Sequence, residues 1–230
     1  MARKKRANNN LPRIDIIDAG CYIDFEGFAG NEHQKFPPPI LLGVFRGGNF
    51  RQIVFTEKYR WAALDPGVSH LVEYRPDRAE YLSELAKSTS QNKPLFAFSE
   101  YEKNIIEFQL KHKVTRSYRN VLGISKKCFN RRPEAFPKRS SNNPNTLMEI
   151  TKTLGVSVSE KLAKGGVTSR LRDVRDYSYS RKAWAKAPVG IKKKWCEVLE
   201  HNRSDCECLY EILKILRESN KPISCVTLNS

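Results

Sequence analysis

Three things are scarce in this chain of 230 residues: paired cysteines, long apolar runs and acidic residues. The six cysteines, at positions 21, 128, 196, 206, 208 and 225, form no Cys-x-x-Cys pair and lack histidines at a matching spacing. The sequence therefore argues against a zinc site and predicts reduced thiols. The longest apolar run, 39–45, is far too short to span a bilayer and suits a central strand. The basic start of the chain lacks an apolar secretory core, so we expect a cytoplasmic protein without membrane attachment.

The shortage of acids leaves a strong positive charge. Lys and Arg number 41 against 25 Asp and Glu, which gives a net charge of +16. Such a charge attracts phosphate backbones or anionic membrane surfaces. Because the cations are clustered along the chain, we predict a nucleic-acid partner and favour single strands. A solvated surface rich in lysine is the alternative.

Apolar patterning predicts an alternation of strands and helices. Segments 21–26, 39–46 and 50–56 indicate an antiparallel meander of three strands, since Gly47-Gly48-Asn49 is a strong turn signal. The other expected elements are two strands, at 94–99 and near 119–124, and four helices, at 79–88, 101–110, 145–155 and 190–219. This pattern predicts an α/β fold with a mixed five-stranded sheet flanked by helices.

The length fits a single domain, which we place at residues 14–220 between a basic disordered tail, 1–13, and a second tail, 221–230. Basic insertions are predicted near 111–144 and 156–189. Part of the first, 125–144, should be an exposed loop that nucleic acid orders, and Tyr118, Phe129 and Phe136 are interspersed where they could stack on bases.

Nine cations are the predicted contacts to nucleic acid. They are Lys126, Lys127, Arg131, Arg132, Arg181, Lys182, Lys193, Lys194 and Arg203. Arg203 could instead pair on the surface with Glu200 or Glu207. Trp184 could stack on a base or pack a loop onto the domain.

Two carboxylates stand out on the first predicted strand. Asp24 and Glu26 are two residues apart, so they share one side of the strand, with Ile23 and Phe25 on the other. Two anions at the edge of an apolar core repel each other and lose hydration unless something positive lies between them. A divalent cation would satisfy both groups.

The last predicted helix offers further ligands. His201 and Asp205 are four residues apart and share a face, and they interrupt an apolar stripe between Leu199 and Leu209. On a long helix such residues are usually solvent contacts, but here Asp205 is expected to project toward the sheet and meet the two carboxylates. Another acid, Glu102, begins a helix, where the alternative role is to favour the helix dipole.

Together these motifs resemble the DEDD, or DnaQ-like, exonucleases, which have a ribonuclease H-like fold. Asp24 and Glu26 match the Asp-x-Glu on the family's first strand. Glu102, in Phe98-Ser99-Glu100-Tyr101-Glu102, is similar to the second acid, and His201 to Asp205 resembles the Tyr-x-x-x-Asp motif with His replacing Tyr. The likeness is greatest to uncharacterised ribonuclease H-like nucleases associated with RecB, and it spans roughly residues 20 to 218.

The resemblance implies hydrolysis of phosphodiester bonds with two Mg²⁺ or Mn²⁺ ions, most simply as a 3′-to-5′ exonuclease on single strands. Asp24 would bridge the ions, Glu26 and Asp205 would hold one, and Glu102 would help to hold the other. His201 would accept a proton from the attacking water or position that water.

Two other functions are compatible with the same residues. The chain could be a weak or inactive nucleic-acid-binding subunit of a larger mobile-element or defence assembly. It could also be a structural basic protein of a ribonucleoprotein particle, in which case the acidic residues would have come together by accident.

Overall fold

The structure, a computed structural model, describes residues 11–30, 32–111, 113–114, 117–131, 136, 145–157 and 166–219. Of the two predicted tails, residues 1–10 and 221–230 lie outside these ranges. Leu11, which the sequence placed in the first tail, is buried among apolar side chains.

A mixed sheet forms the centre of the molecule. Its strands are β1 (Cys21–Glu26), β2 (Leu41–Arg46), β3 (Asn49–Val54), β4 (Val72–Tyr74), β5 (Leu95–Ala97) and β6 (Tyr118–Asn120). They lie in the order β4-β3-β2-β1-β5-β6. The β1–β2 and β2–β3 pairs are antiparallel, while β3–β4, β1–β5 and β5–β6 are parallel. As a result β1 is an inner strand, with a neighbour on each side.

Helices pack on the sheet. In the described part of the chain they are α1 (Ile14–Ala19), α2 (Arg60–Ala63), α3 (Arg78–Lys87), α4 (Glu100–Leu110), α5 (Val121–Arg131), α6 (Leu147–Leu154), α7 (Val167–Ser178), α8 (Arg181–Ala185) and α9 (Val189–Ser219).

The alternation of side chains along β1 assigns helices to the two faces of the sheet. Cys21 and Ile23 join a buried cluster with Leu82 of α3 and Ile106 of α4. Tyr22, which points the other way, packs in a second cluster with Leu209 of α9. Each large apolar side chain buried in this way contributes about 1.5–3 kcal/mol to folding. The even-numbered residues of β1 therefore share the α9 side of the sheet.

The last helix is the main packing partner of β1. It has 31 residues, and its predicted apolar stripe is confirmed. The buried members of that stripe are Trp195, Val198, Leu199, Leu209, Ile212, Leu213 and Leu216. The first three of these residues are in one cluster with α7, and the other four are in a second cluster with Tyr22.

The α/β fold with a mixed sheet and flanking helices is confirmed, but the predicted number of five strands was wrong. The sixth strand, β4, has three residues and follows a loop, so it is too short to show an alternating pattern. The strand predicted near 119–124 ends at Asn120. There the Asn120 carboxamide accepts a hydrogen bond from Gly123 N, and α5 begins.

The predicted basic insertions are partly structural. Residues 125–131, which were expected to form a loop, belong to α5. The buried residues of this helix, Val121, Ser125 and Phe129, recur every four positions. In the described part of the first insertion, the aromatic side chains expected to stack on bases are instead buried: Tyr118 is 6% exposed, Phe129 0% and Phe136 6%. Residues 132–135 and 137–144 lie outside the described ranges.

The second insertion contributes to the core. Leu171 and Val174 of α7 are buried against the Trp195 end of α9. Trp184 of α8 is also buried, and its indole N–H donates to Asp65 at 2.7 Å. Of the two roles considered for Trp184, this contact supports packing.

None of the helices described here is both long and apolar enough to cross a lipid bilayer.

Candidate metal centre

β1 brings Asp24 and Glu26 to the α9 side of the sheet. In the antiparallel pair with β2, Asp24 lies opposite Gly43 and Glu26 opposite Leu41. The backbone of Glu26 also accepts a hydrogen bond from Ile40 N at 2.9 Å, which extends the pairing to the end of the strand. Both carboxylates are thus fixed on a paired inner strand.

α9 brings His201 and Asp205 to the same place. The His201 Nε2 atom lies 3.6 Å from Asp205 Oδ2, one turn along the helix, and 3.7 Å from Glu26 Oε1 on the sheet. Ligand atoms of these three residues all lie within 4.8 Å of one another. The side chains are 20% (His201), 24% (Asp205) and 13% (Glu26) exposed. The three groups form a small polar cluster between strand and helix that opens to solvent.

Asp24 is partly buried, like the other three residues, and is held by an amide. Asn202 Nδ2 donates to Asp24 Oδ2 at 2.8 Å and to the Asp24 backbone oxygen at 3.1 Å. Asp24 is not one of the three residues within 4.8 Å, but its carboxylate interacts electrostatically with those of Asp205 and Glu102. The sequence prediction that Asp24, Glu26 and Asp205 converge is met to this extent.

Burial and mutual repulsion disfavour ionisation of these acids. Burial raises the pKa of Asp24 well above its usual value, the charges of Asp205 and Glu102 raise it further, and the Asn202 hydrogen bond partly offsets this. The pKa of Glu26 is also raised well above normal, by burial and then by Asp24 and Asp205. Burial raises the pKa of Asp205 too, while His201 acts in the opposite direction. A bound cation would remove this cost by stabilising the ionised forms.

Glu102 is placed differently from the other acids. It lies in the first turn of α4 and is buried, with an exposure of 8%. Its Oε2 atom accepts from Ser99 N at 3.0 Å and from Ser99 Oγ at 2.9 Å, which completes a capping box. Glu102 therefore stabilises the start of α4, and neither of these two bonds uses its Oε1 atom. Whether it also binds a metal stays a prediction.

Two buried amides were missed from the sequence. Gln52 on β3 and Asn202 on α9 are 2% and 0% exposed. Gln52 Nε2 donates to Asn202 Oδ1 and to the Leu199 backbone oxygen, both at 3.0 Å. The chain of bonds runs from β3 through α9 to Asp24. One sequence signal could have revealed it, because Asn202 falls between the apolar positions Leu199 and Leu209, within the core-facing stripe.

Gly43 leaves room for this network. A Cβ atom at this position would lie 2.4 Å from Asn202 Oδ1 and 2.8 Å from Cys206 Sγ. Glycine in the middle of a strand is usually unfavourable, and here it permits the close approach of α9. The glycine is thus part of the structure that positions Asp24.

A cavity of about 400 Å³ adjoins the metal-ligand cluster at Glu26. Phe28 and Tyr101 line it, and Tyr101 is 41% exposed. The guanidinium groups of Arg172 and Arg175 on α7 lie 6.0 and 5.8 Å from the centre of the Phe28 ring. The cavity therefore has aromatic surface beside Glu26, and the two arginines lie next to Phe28 outside its lining, with Arg175 also 3.4 Å from Asp176.

The cations predicted to bind nucleic acid are spread over several elements. Lys126, Lys127 and Arg131 lie on α5, Arg181 and Lys182 on α8, and Lys193, Lys194 and Arg203 on α9. Some are engaged: Lys126 Nζ donates to Asn145, Lys194 pairs with Asp173 at 2.6 Å, and Arg203 pairs with Glu207 at 2.8 Å. Arg132 lies outside the described residues.

Comparison of the chain with protein-family models, with curated proteins and with solved structures found no significant match.

Proposed function

We propose that this protein is a divalent-metal-dependent nuclease that hydrolyses phosphodiester bonds of single-stranded nucleic acid. The observation that carries the proposal is the convergence of Glu26, His201 and Asp205, from an inner strand and the last helix, with their ligand atoms within 4.8 Å. Carboxylate oxygens and an imidazole suit Mg²⁺ or, better, Mn²⁺. The net charge of +16 supports a polyanionic substrate.

The sheet supports the finer interpretation of a ribonuclease H-like nuclease. Its first three strands are antiparallel neighbours, and β5 and β6 continue the sheet in parallel from β1. Acids on β1 and on a final helix packed against it occur in the places that the resemblance to DEDD exonucleases implies. β4, parallel to β3 at the outer edge, is an addition to that arrangement.

Each acidic residue has a defined task in this proposal. Glu26 and Asp205 would hold one ion, and Asp24 would bridge to a second ion held with Glu102. Bound ions would activate the attacking water and neutralise the developing charge on phosphorus oxygens. Asn202 fixes the Asp24 carboxylate by its bond to Oδ2. His201 points Nε2 at two carboxylates, so it fits a metal ligand as well as the predicted general base.

The cavity beside Glu26 supports a nucleic-acid substrate. Phe28 and Tyr101 offer ring surface for a nucleobase. Arg172 and Arg175, next to Phe28, can neutralise backbone phosphates. These contacts are independent of base sequence and suit a single strand, whose bases are accessible for stacking.

Cleavage of an end-labelled single strand tests the proposal. With Mn²⁺ the wild-type protein should give a ladder of products from DNA or RNA, while Asp24→Asn and Asp205→Asn should lose at least 100-fold in rate. Glu211→Gln is the matched control on the same helix, because Glu211 is exposed and lies away from the cluster. A wild-type preparation that binds the strand but does not cleave it with Mg²⁺ or with Mn²⁺ would contradict the proposal.

A second function, nucleic-acid binding without efficient cleavage within a larger nucleoprotein assembly, is favoured by one observation. The Oε2 atom of Glu102 is already occupied by two hydrogen bonds from Ser99. If Glu102 serves only as a cap, the second ion lacks a ligand from α4. In that case binding should be tight without metal and unchanged in Asp24→Asn.

A further inference from the structure

A second cavity lies on the opposite face of the sheet, at the other end of β1. It measures about 390 Å³, and Cys21 and Val44 belong to its lining. These two residues pack on the side of α3 and α4, away from α9. Cys21 and Glu26 are five positions apart on β1, which is about 17 Å along a strand. The cavity is therefore separate from the candidate metal centre.

Two arginines bring positive charge to this cavity. Arg46 at the end of β2 and Arg51 on β3 both line it. Within the described part of the chain neither guanidinium forms an ion pair, and Arg46 donates to Ser88, whose hydroxyl and backbone oxygens lie 3.4 and 3.3 Å away. Two guanidinium groups face one cavity, and no described carboxylate lies within ion-pair distance of either one. An arrangement of this kind favours an anion.

The remaining polar groups are suited to the same ligand. Glu84 also lines the cavity, and its carboxylate lies 3.8 Å from Arg75, which pairs with Glu73 at 3.1 Å as well, so the two arginines of the lining face one carboxylate that is already partly paired. Burial raises the pKa of Tyr81 to about 12, so its phenol keeps its proton and can donate. The Cys21 thiol is likewise neutral at pH 7, since burial raises its pKa to about 12. Asn49 adds a side-chain amide to the lining.

We propose that this arginine cavity, lined by Arg46, Arg51, Asn49 and Tyr81, binds a phosphate group. The planar fork of arginine matches phosphate oxygens in bidentate fashion, and the phenol and amide can supply further donors. The volume is enough for a mononucleotide. The phosphate can belong to a nucleic-acid strand or to a free nucleotide. Neither source requires that the protein cleaves nucleic acid.

Side-chain NMR tests the proposal directly. Inorganic phosphate, a 5′-mononucleotide and a short single strand would each be titrated into protein labelled with ¹⁵N at arginine, at constant ionic strength without divalent metal. The Nε–H signals of Arg46 and Arg51 should shift in a saturable way with at least one of these probes. Arginine signals that do not move, or that all move alike, would overturn the proposal.

Paired variants distinguish phosphate binding at the arginine cavity from a general effect of positive charge. The Arg46→Gln/Arg51→Gln variant should lose at least tenfold in affinity for the phosphate probe. The Lys58→Gln/Lys152→Gln control removes the same charge from exposed positions elsewhere and should lose less than twofold. Equal losses in both variants would count against a specific site. The Arg46→Lys/Arg51→Lys variant keeps the positive charge but lacks the planar guanidinium groups. It replaces the glutamine variant in this comparison if that variant does not fold.

The probes also distinguish the source of the phosphate. If a nucleic-acid strand is the ligand, the glutamine variant should lose affinity for the strand, and the dependence of log K on log salt should become shallower by about 1 or 2. If a free nucleotide is the ligand, only the mononucleotide and inorganic phosphate should bind more weakly. Because the readout is binding without metal, failure here leaves the nuclease proposal untouched, and the converse also holds.

Discussion

At the scale of single residues, a buried amide determines where the Asp24 carboxylate points. Asn202 is fully buried and donates to both the side chain and the backbone of Asp24, while its own oxygen accepts from Gln52. Asn202 and Gln52 are buried and Asp24 is partly buried, so loss of the Asn202 amide removes hydrogen bonds that water only partly replaces. The network thus contributes to stability as well as to positioning.

We expect Asn202→Leu to destabilise the fold by about 3 kcal/mol, since leucine is close in size to asparagine but removes both hydrogen bonds to Asp24 and one of the two made by Gln52. Urea unfolding at pH 8 measures this change. The control is Asn92→Leu at an exposed position, which should stay within about 0.5 kcal/mol of wild type. A similar, small effect of both substitutions would mean that the network contributes little.

The residues of the site differ in how well the sequence predicts their positions. Asp24 and Glu26 could be predicted, because alternation along a strand fixes their common side. His201 and Asp205 could be predicted to share a face by their spacing of four. Gln52 could not, because a polar residue on a strand usually points to solvent, and only the approach of α9 buries it.

At the scale of secondary structure, the packing of α9 on β2 depends on the absence of a side chain at Gly43. The strands β1 and β3 are hydrogen-bonded to β2 on either side, so an added methyl group must displace the side chains of Asn202 and Cys206 or the helix that carries them. Displacement of α9 would move Asn202, and with it Asp205, relative to the carboxylates of β1.

We expect Gly43→Ala to cost about 2 kcal/mol of stability through overpacking. In the nuclease assay it should also reduce cleavage, because Asp205 moves with the helix. Gly190→Ala is the control, since no atom lies within 4 Å of a Cβ there and alanine favours a helix. Thermal unfolding and cleavage rates measured on both variants test this, and a Gly43→Ala protein that matches wild type in both would refute it.

Helices and strands with a clear apolar pattern of their own were predicted well, and those without one were not. The helices α3, α4, α6 and α9 lie close to their predicted positions, because each has apolar residues at helical spacing. α5 was mistaken for strand and loop, since Gly123 and several cations obscure the stripe of Val121, Ser125 and Phe129. β4 depends on pairing with β3, a contact between distant parts of the chain that local sequence does not specify.

At the scale of the whole molecule, folding brings negative charges together inside a protein that is positive overall. The net charge is +16, yet Asp24, Glu26 and Asp205 lie together in one partly buried cluster. The long-range field attracts a polyanion, and the local cluster attracts cations. Both properties are ones that the proposed nuclease would need.

The cluster makes stability depend on pH in a defined direction. The pKa values of Asp24, Glu26 and Asp205 are raised in the folded state above the unfolded values near 4. Between those unfolded values and the raised ones, the folded protein binds more protons than the unfolded one. Its stability therefore falls as pH rises through this range, and no such change is expected below pH 4.

In the absence of divalent metal, the thermal midpoint should accordingly rise when the pH is lowered from 8 to 5.5. The Asp24→Asn/Glu26→Gln variant is the control: it should be more stable than wild type at pH 8 and much less sensitive to pH over the same interval. Mn²⁺ should stabilise the wild-type protein more at pH 8 than at pH 5.5, because binding requires ionised carboxylates, and should leave the variant nearly unchanged. Wild type and variant with the same pH profile and the same response to Mn²⁺ would show that these acids neither repel one another nor share an ion.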